Sequence, residues 1–159
     1  MAKTKFSRFL GFQCPVGHYC PTGSGYPRPC EPGTFSKEVK QASCDDCTPG
    51  YQCIGVANLT ACPEGFYCPA GTGYDLQPCP PGTFKNTTLG SDISACVDCP
   101  GGFYCDGEAT TNPVKLCKEG YYCRNGVNTS EPGTSPHTGD GGRCPAGSYC
   151  PVGTGSTRM

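Results

Sequence analysis

The sequence contains no tryptophan, and leucine, isoleucine, valine and phenylalanine together account for only 21 of its 159 residues. So few large apolar side chains cannot build a conventional hydrophobic core for a chain of this length. Glycine and proline, with 24 and 17 residues, disfavour long helices. The composition therefore argues against an ordinary globular domain and against helical architectures.

The sequence also lacks a charge excess and long hydrophobic runs. Its formal net charge is −1, so the chain has no excess of positive charge with which to bind nucleic acid. No apolar run approaches the roughly 20 residues of a membrane-spanning helix. The first thirteen residues, MAKTKFSRFLGFQ, contain no apolar stretch of the signal-peptide type. We therefore expect neither a nucleic-acid partner nor a membrane span in this chain.

Cysteine is abundant, with 16 residues, and this abundance indicates a scaffold held by disulfides. A zinc site would need four ligands at suitable spacing. The only cysteine pairs with two intervening residues are Cys44/Cys47 and Cys96/Cys99, and these two pairs lie about fifty residues apart. The chain has only two histidines. We therefore expect no metal or other cofactor, and an oxidising environment.

Six cysteine pairs share one spacing of five intervening residues. All six have glycine at the fourth position, and five have tyrosine just before the second cysteine. The pairs are Cys14/Cys20, Cys47/Cys53, Cys62/Cys68, Cys99/Cys105, Cys117/Cys123 and Cys144/Cys150. Such regularity indicates tandem repeats.

A longer unit contains these pairs and recurs with an offset of 48 to 52 residues. It combines a Cys-x5-Cys pair, a glycine-rich connector, a cysteine before Pro-Gly-Thr, and a second Cys-x5-Cys pair. This repeat divides the chain into an N-terminal segment 1–13, repeat 1 at 14–61, repeat 2 at 62–116, and a divergent or partial repeat 3 at 117–159.

Repeat 3 has lost two cysteines together. Ser130 stands where Cys30 and Cys79 precede the Pro-Gly-Thr turn, and repeat 3 lacks a counterpart of Cys44 and Cys96. The joint loss predicts that the lost residues are partners. We therefore expect the disulfides Cys30–Cys44 and Cys79–Cys96, each of which would contribute roughly 3 kcal/mol in the chain-entropy model.

The six Cys-x5-Cys pairs allow two arrangements. The two cysteines of each pair can bond to each other through a tight turn. Alternatively, both cysteines of one pair can bond to those of the next pair, an arrangement that we call a ladder. We favour ladders, with Cys47 and Cys53 bonded to Cys62 and Cys68, and with Cys99 and Cys105 bonded to Cys117 and Cys123. This arrangement leaves Cys14/Cys20 and Cys144/Cys150 to join other copies of the chain head-to-tail.

Pro-Gly pairs predict type II turns, in which the glycine has a positive φ. Short strands are expected beside these turns, at Gly-x-Tyr-Cys and Thr-Phe. The predicted fold class is small, disulfide-rich and mostly irregular, with short β-hairpins and almost no helix. Because tandem repeats contact mainly their neighbours, we expect an elongated rod.

The string CPEGFYCPAGTGYDLQPCPPGTF, followed by CVDCPGGFYC, resembles the cysteine-rich repeats of the ephrin-receptor type. Those repeats are related in style to tumour-necrosis-factor-receptor and EGF-like modules. The resemblance covers about residues 14–155. It implies an extracellular, non-enzymatic module that acts as a spacer, an adhesive stalk or a ligand-binding surface.

Three Asn-x-Ser/Thr sequons begin at Asn58, Asn86 and Asn128, although the chain has only five asparagines. Roughly one sequon lies in each repeat, which favours N-linked glycans and a secretory protein at or outside the cell surface.

Candidate catalytic residues are few. His18 stands where other pairs have Phe66, Phe103 and Tyr121. His137 lies in a polar loop, and Asp45 and Asp46 lie between cysteines. We therefore expect a non-enzymatic building block of an extracellular fibre, filament or matrix. The alternative is a ligand-binding or adhesion ectodomain of a receptor.

Overall fold

The computed structural model describes residues 13–55, 58–133 and 141–156. These residues form fourteen strands of two or three residues each. The strands are β1 His18–Tyr19, β2 Arg28–Pro29, β3 Thr34–Phe35, β4 Asp45–Asp46, β5 Tyr51–Cys53, β6 Leu59–Ala61, β7 Phe66–Tyr67, β8 Gln77–Pro78, β9 Thr83–Phe84, β10 Val97–Asp98, β11 Phe103–Tyr104, β12 Lys115–Leu116, β13 Tyr121–Cys123 and β14 Gly141–Arg143.

Each strand pairs with its neighbour in the chain, so that the fold consists of seven antiparallel hairpins. In the first hairpin, for example, His18 lies opposite Pro29 and Tyr19 opposite Arg28. The one helical element in the described ranges is the 3₁₀ turn Ile93–Ala95, where the Asp92 carboxylate accepts a hydrogen bond from the Ser94 N–H. The expected disulfide-rich fold of short hairpins with almost no helix is confirmed.

The hairpins divide the described chain into eight short units, which we call rungs. Each rung begins at a cysteine and has a glycine at its fourth position, with a φ between 80° and 91°. A positive φ favours glycine because it has no Cβ, and the Pro-Gly turns predicted at Gly33 and Gly82 are confirmed. Rungs 1 to 8 begin at Cys14, Cys30, Cys47, Cys62, Cys79, Cys99, Cys117 and Cys144.

Every rung also contains a second residue with a positive φ, in the loop after its first strand or cysteine pair. We call it the second-turn residue. In rungs 1 to 8 these residues are Gly23, Lys40, Gly55, Gly71, Leu89, Ala109, Gly126 and Gly153. Three of them are not glycine, which carries a local conformational cost.

The six Cys-x5-Cys pairs all close locally, and the ladder arrangement expected from the sequence is wrong. The left-handed glycine reverses the chain within each pair and brings the two cysteine Cα atoms to between 5.7 and 6.0 Å, which suits a disulfide. Cys14 and Cys144 are therefore bonded to Cys20 and Cys150 and do not link copies covalently.

The two remaining disulfides are Cys30–Cys44 and Cys79–Cys96, the pairs that the losses in repeat 3 predict. They span 14 and 17 positions in the sequence, against 6 for each local bridge. None of the 16 cysteines, all of which lie in the described ranges, is free.

The buried interior consists mainly of these disulfides. Twelve of the buried side chains described are cysteines, and the other buried apolar side chains are Phe35, Val127 and Pro132. Phe35 packs with the Cys47–Cys53 bridge, and Val127 packs with the Cys117–Cys123 bridge. Cystine sulfur thus occupies the place that leucine and isoleucine fill in a conventional core.

The described residues form two compact regions. One lies within Met1–Cys62 and Cys68–Leu76, and the other lies within Pro63–Tyr67 and Gln77–Met159.

Candidate functional site: the contacts between rungs

Five of the seven junctions between successive rungs carry the same four backbone hydrogen bonds, and the other two carry two of the four among the described residues. The fourth-position glycine and the second cysteine of the earlier rung donate their N–H groups. The same glycine and the first cysteine of the earlier rung accept through their C=O groups. Between rungs 7 and 8 the bonds run from Gly120 N to Cys150 O, Cys123 N to Thr154 O, Cys144 N to Gly120 O and Gly153 N to Cys117 O, each at 2.9 Å.

The same four bonds are present at four further junctions, which start at Cys14, Cys47, Cys79 and Cys99. Because only backbone atoms take part, side-chain identity has little influence on this contact. The arrangement is a chemically uniform surface that each rung presents to the next.

A second contact links rungs that are two steps apart. The fourth-position glycine of one rung packs against a backbone carbonyl of the rung two positions later in the chain. A Cβ added to Gly33 would lie 2.5 Å from Gly71 O, and one added to Gly102 would lie 2.5 Å from Gly153 O. A real Cβ cannot approach this closely, so this stacking contact requires glycine.

Rungs 2 and 5 carry Ser36 and Lys85 where the other rungs have a second cysteine. Both residues are buried; the Ser36 hydroxyl donates to Glu38 O at 3.0 Å, and the Lys85 ammonium donates to Thr87 O. Burial lowers the pKa of the Lys85 ammonium, and the Glu64 carboxylate opposes this shift. Ser36 and Lys85 were not predicted from the sequence, although CEPGTFS and CPPGTFK align with CPxGxYC at these two positions.

In repeat 3, rung 7 bonds directly to rung 8 and bypasses the SEPGTS segment that begins at Ser130. Gly141 stands three residues before Cys144, as Cys44 and Cys96 stand before Cys47 and Cys99. In place of a bridge, Pro132 packs closely against Gly141, where an added Cβ would lie 2.8 Å from the Pro132 ring. Lys118 pairs with Glu131 and lowers the pKa of its carboxyl, and the Tyr121 hydroxyl lies 3.3 Å from the same carboxylate.

The three sequons differ in exposure. Asn58 precedes β6 and Asn86 follows β9, and both side chains are exposed. Asn128 is half-buried, and its Cβ lies near the Gly82 turn of rung 5. Two of the three candidate acceptors are therefore exposed, whereas the third lies against the rung two steps earlier in the chain.

Two tyrosines at equivalent positions of the glycine-rich connectors are strongly exposed. Tyr26 is 63% exposed and Tyr74 is 70% exposed, with the Arg28 guanidinium 6.0 Å from the Tyr26 ring centre. Tyrosine is enriched in protein interfaces because it combines an apolar ring with a polar hydroxyl.

The residues considered for catalysis are not brought together. His18 is half-buried in β1, with its Nδ1 3.3 Å from Val16 O, and Asp45 and Asp46 are exposed in β4. His137 lies outside the described residues. Within the described ranges, no group of three histidine, cysteine, aspartate or glutamate side chains could hold a metal ion.

No known protein family matches the chain, and no curated protein matches it. No helix in the described part of the chain is long and apolar enough to cross a membrane. Eight intrachain disulfides among tandem hairpins define a disulfide-rich repeat protein of the kind that folds in an oxidising environment.

Proposed function

We propose that this protein is a non-enzymatic structural building block of an extracellular fibre, filament or matrix, which assembles head-to-tail. The observation that carries the proposal is the recurring junction between rungs. A contact made by backbone atoms alone, and repeated along the chain, can be repeated again between copies.

The cysteines support a structural role. With all 16 in disulfides, the chain offers no thiolate nucleophile and is cross-linked throughout, as suits a material outside the cell. In this proposal Asn58, Asn86 and Asn128 carry N-linked glycans, which keep the assembled protein hydrated and soluble.

Electron microscopy of the natively purified protein tests this function. We expect filaments or end-to-end chains in negative stain. Treatment with an N-glycan-removing amidase should lower the mass and convert glycosylated asparagines to aspartate. Particles that stay single at high concentration, together with unmodified asparagine at all three sequons, would contradict the proposal.

Exposed Tyr26 and Tyr74 favour a second candidate, a ligand-binding or adhesion ectodomain. Large aromatic side chains at equivalent positions of two repeats are suited to bind one extended protein partner. A receptor would appear as single particles on the cell surface, and its ligand binding would fall when both tyrosines are replaced by serine.

A further inference from the structure

Rung 8 repeats the junction surface of rung 7, and no described residue is bonded to it. In rung 7 the N–H groups of Gly120 and Cys123 and the C=O groups of Gly120 and Cys117 are all bonded to rung 8. In rung 8 the equivalent groups belong to Gly147, Cys150 and Cys144. Among the described residues, none of these four groups has a hydrogen-bond partner.

The exposure of the fourth-position glycines agrees with this pattern. This glycine is buried in rungs 1 to 6, whereas Gly120 and Gly147 in rungs 7 and 8 are exposed. A Cβ added to either would meet no atom within 4 Å. Both turns nevertheless keep the left-handed conformation, with φ values of 82° and 84°, that receives a neighbouring carbonyl elsewhere in the chain.

Rung 1 presents the complementary half. At the five junctions that carry all four bonds, the later rung accepts through the residue at its second-cysteine position and through the residue after its second-turn residue. It donates through its first cysteine and its second-turn residue. In rung 1 these groups are the carbonyls of Cys20 and Ser24 and the N–H groups of Cys14 and Gly23. No hydrogen bond to them is present within the described ranges.

We propose that the rung 8 surface of one copy docks on the rung 1 surface of a second copy. The bonds would run from Gly147 N to Cys20 O, Cys150 N to Ser24 O, Cys14 N to Gly147 O and Gly23 N to Cys144 O. This inference rests on the proposed function, and it names the surface through which assembly takes place.

Charge and symmetry favour a second copy as the occupant. Two donors and two acceptors on one surface face two acceptors and two donors on the other, in the same order as within the chain. The net charge of −1 gives little repulsion between copies. Because the two surfaces differ, the contact is heterologous, and it extends into an open chain of copies when its rotation does not close a ring.

The position of Gly25 independently supports docking between two copies. Its equivalents Gly73 and Gly155 are crowded, since an added Cβ would lie 2.8 Å from Gly33 N and 2.9 Å from Gly101 C respectively. Gly25 has no left-handed φ and no atom within 4 Å of an added Cβ. Other connectors tolerate a Cβ at this position, as Asn128 shows in rung 7, but Gly25 shares the Pro-x-Gly-x-Gly connector of Gly73 and Gly155. In a stacked copy this connector would place Gly25 equally close to the Gly120 turn of its neighbour.

The test compares Gly25→Val with Gly107→Val in the oxidised, full-length chain. Gly107 is a matched control because it also has open space around it and no left-handed φ. Sedimentation velocity over a concentration series should show concentration-dependent association of the wild-type protein and of Gly107→Val. Association of Gly25→Val should be weaker by at least about tenfold, with an unchanged melting temperature.

Hydrogen exchange provides a second measurement that needs no variant. Exchange of the Gly147 and Cys150 amides should slow as the wild-type concentration rises, because both would become hydrogen-bonded.

A variant lacking residues 1–12 should associate as the wild-type protein does. Loss of association in this variant would assign the contact to that segment and overturn the proposal.

The outcomes separate this contact from the wider function. Native filaments together with undiminished association of Gly25→Val would overturn the docking surface while leaving the building-block function in place. Native particles that remain single, and a wild-type chain that remains monomeric, would overturn both.

Discussion

Lys85 and Ser36 reveal what a rung needs at the position where most rungs carry a second cysteine. Both positions are buried, so that the side chain must fill space and satisfy its own polar atoms. Serine does so through Glu38 O, and lysine through Thr87 O. With the local bridge absent, Cys30 and Cys79 bond instead to Cys44 and Cys96, which closes a longer loop.

The buried amine of Lys85 makes stability depend on pH. Because its pKa is lower in the folded chain than the ordinary lysine value of about 10.4, the unfolded chain binds more protons just below that pH. The stability contributed by Lys85 therefore increases as pH rises through this window. We expect the free energy of unfolding of the wild type to rise relative to Lys85→Met between about pH 8 and about pH 10.

Denaturant unfolding of both proteins at the two pH values measures this difference. Lys37→Met is the control, since Lys37 is an exposed lysine that follows the equivalent position of rung 2. A wild-type stability that stays constant or falls relative to Lys85→Met would show that the folded protein accommodates the charged amine without cost.

At the scale of the element, the turn and the bridge form one unit. The left-handed glycine brings the two cysteines of a pair together, and the disulfide then holds the turn, while the strand after the glycine pairs with the strand before the next rung. Neither part would persist alone, because a two-stranded hairpin this short is marginal in water.

Local closure predicts a specific pattern of tryptic peptides without reduction. Cleavage after Lys115, Lys118, Arg124 and Arg143 should release residues 116–118 joined only to residues 119–124, through Cys117–Cys123. Residues 144–158 should be released unattached to any other peptide, because Cys144 and Cys150 bond to each other. Mass spectrometry of the unreduced digest reads both masses directly.

The ladder arrangement would give a different digest. Cys99 and Cys105 would hold residues 86–115 to both peptides around Cys117 and Cys123. Recovery of that larger cross-linked species as the main product would contradict local closure, and the same digest after reduction serves as the control for complete cleavage.

At the scale of the whole molecule, covalent cross-links replace apolar burial. Among the described residues, only Phe35, Val127 and Pro132 join the cysteines as buried apolar side chains, so the interior depends on the eight disulfides. Each bridge contributes on the order of 2 to 4 kcal/mol, mainly by restricting the unfolded chain. Their sum is large compared with the stability of an ordinary small domain.

Reduction and alkylation should therefore unfold the chain completely. The expected result is a collapse of amide chemical-shift dispersion in the NMR spectrum, measured against a sample alkylated without reductant. A reduced sample that keeps its dispersed spectrum would mean that the backbone junctions are stable without the bridges.

The sequence alone determined the local features of this protein. Pro-Gly and Gly-x-Tyr-Cys placed the turns and strands, because a positive φ at glycine and the fixed φ of proline act within a few residues. The paired losses at Ser130 and in the segment before Cys144 identified Cys30–Cys44 and Cys79–Cys96. The disulfide-rich class followed from composition.

Only the tertiary structure decided how neighbouring units meet. Local bridges and ladders require the same cysteine spacing, so Cys47–Cys53 and Cys62–Cys68 could not be assigned before the Cα distances were known. The junctions between rungs were equally hidden, because every residue type except proline carries the same backbone donor and acceptor. Contacts made by backbone atoms cannot be recognised in the sequence, with one exception. Glycine is required where two backbone segments approach too closely for a Cβ, as at Gly33 and Gly73.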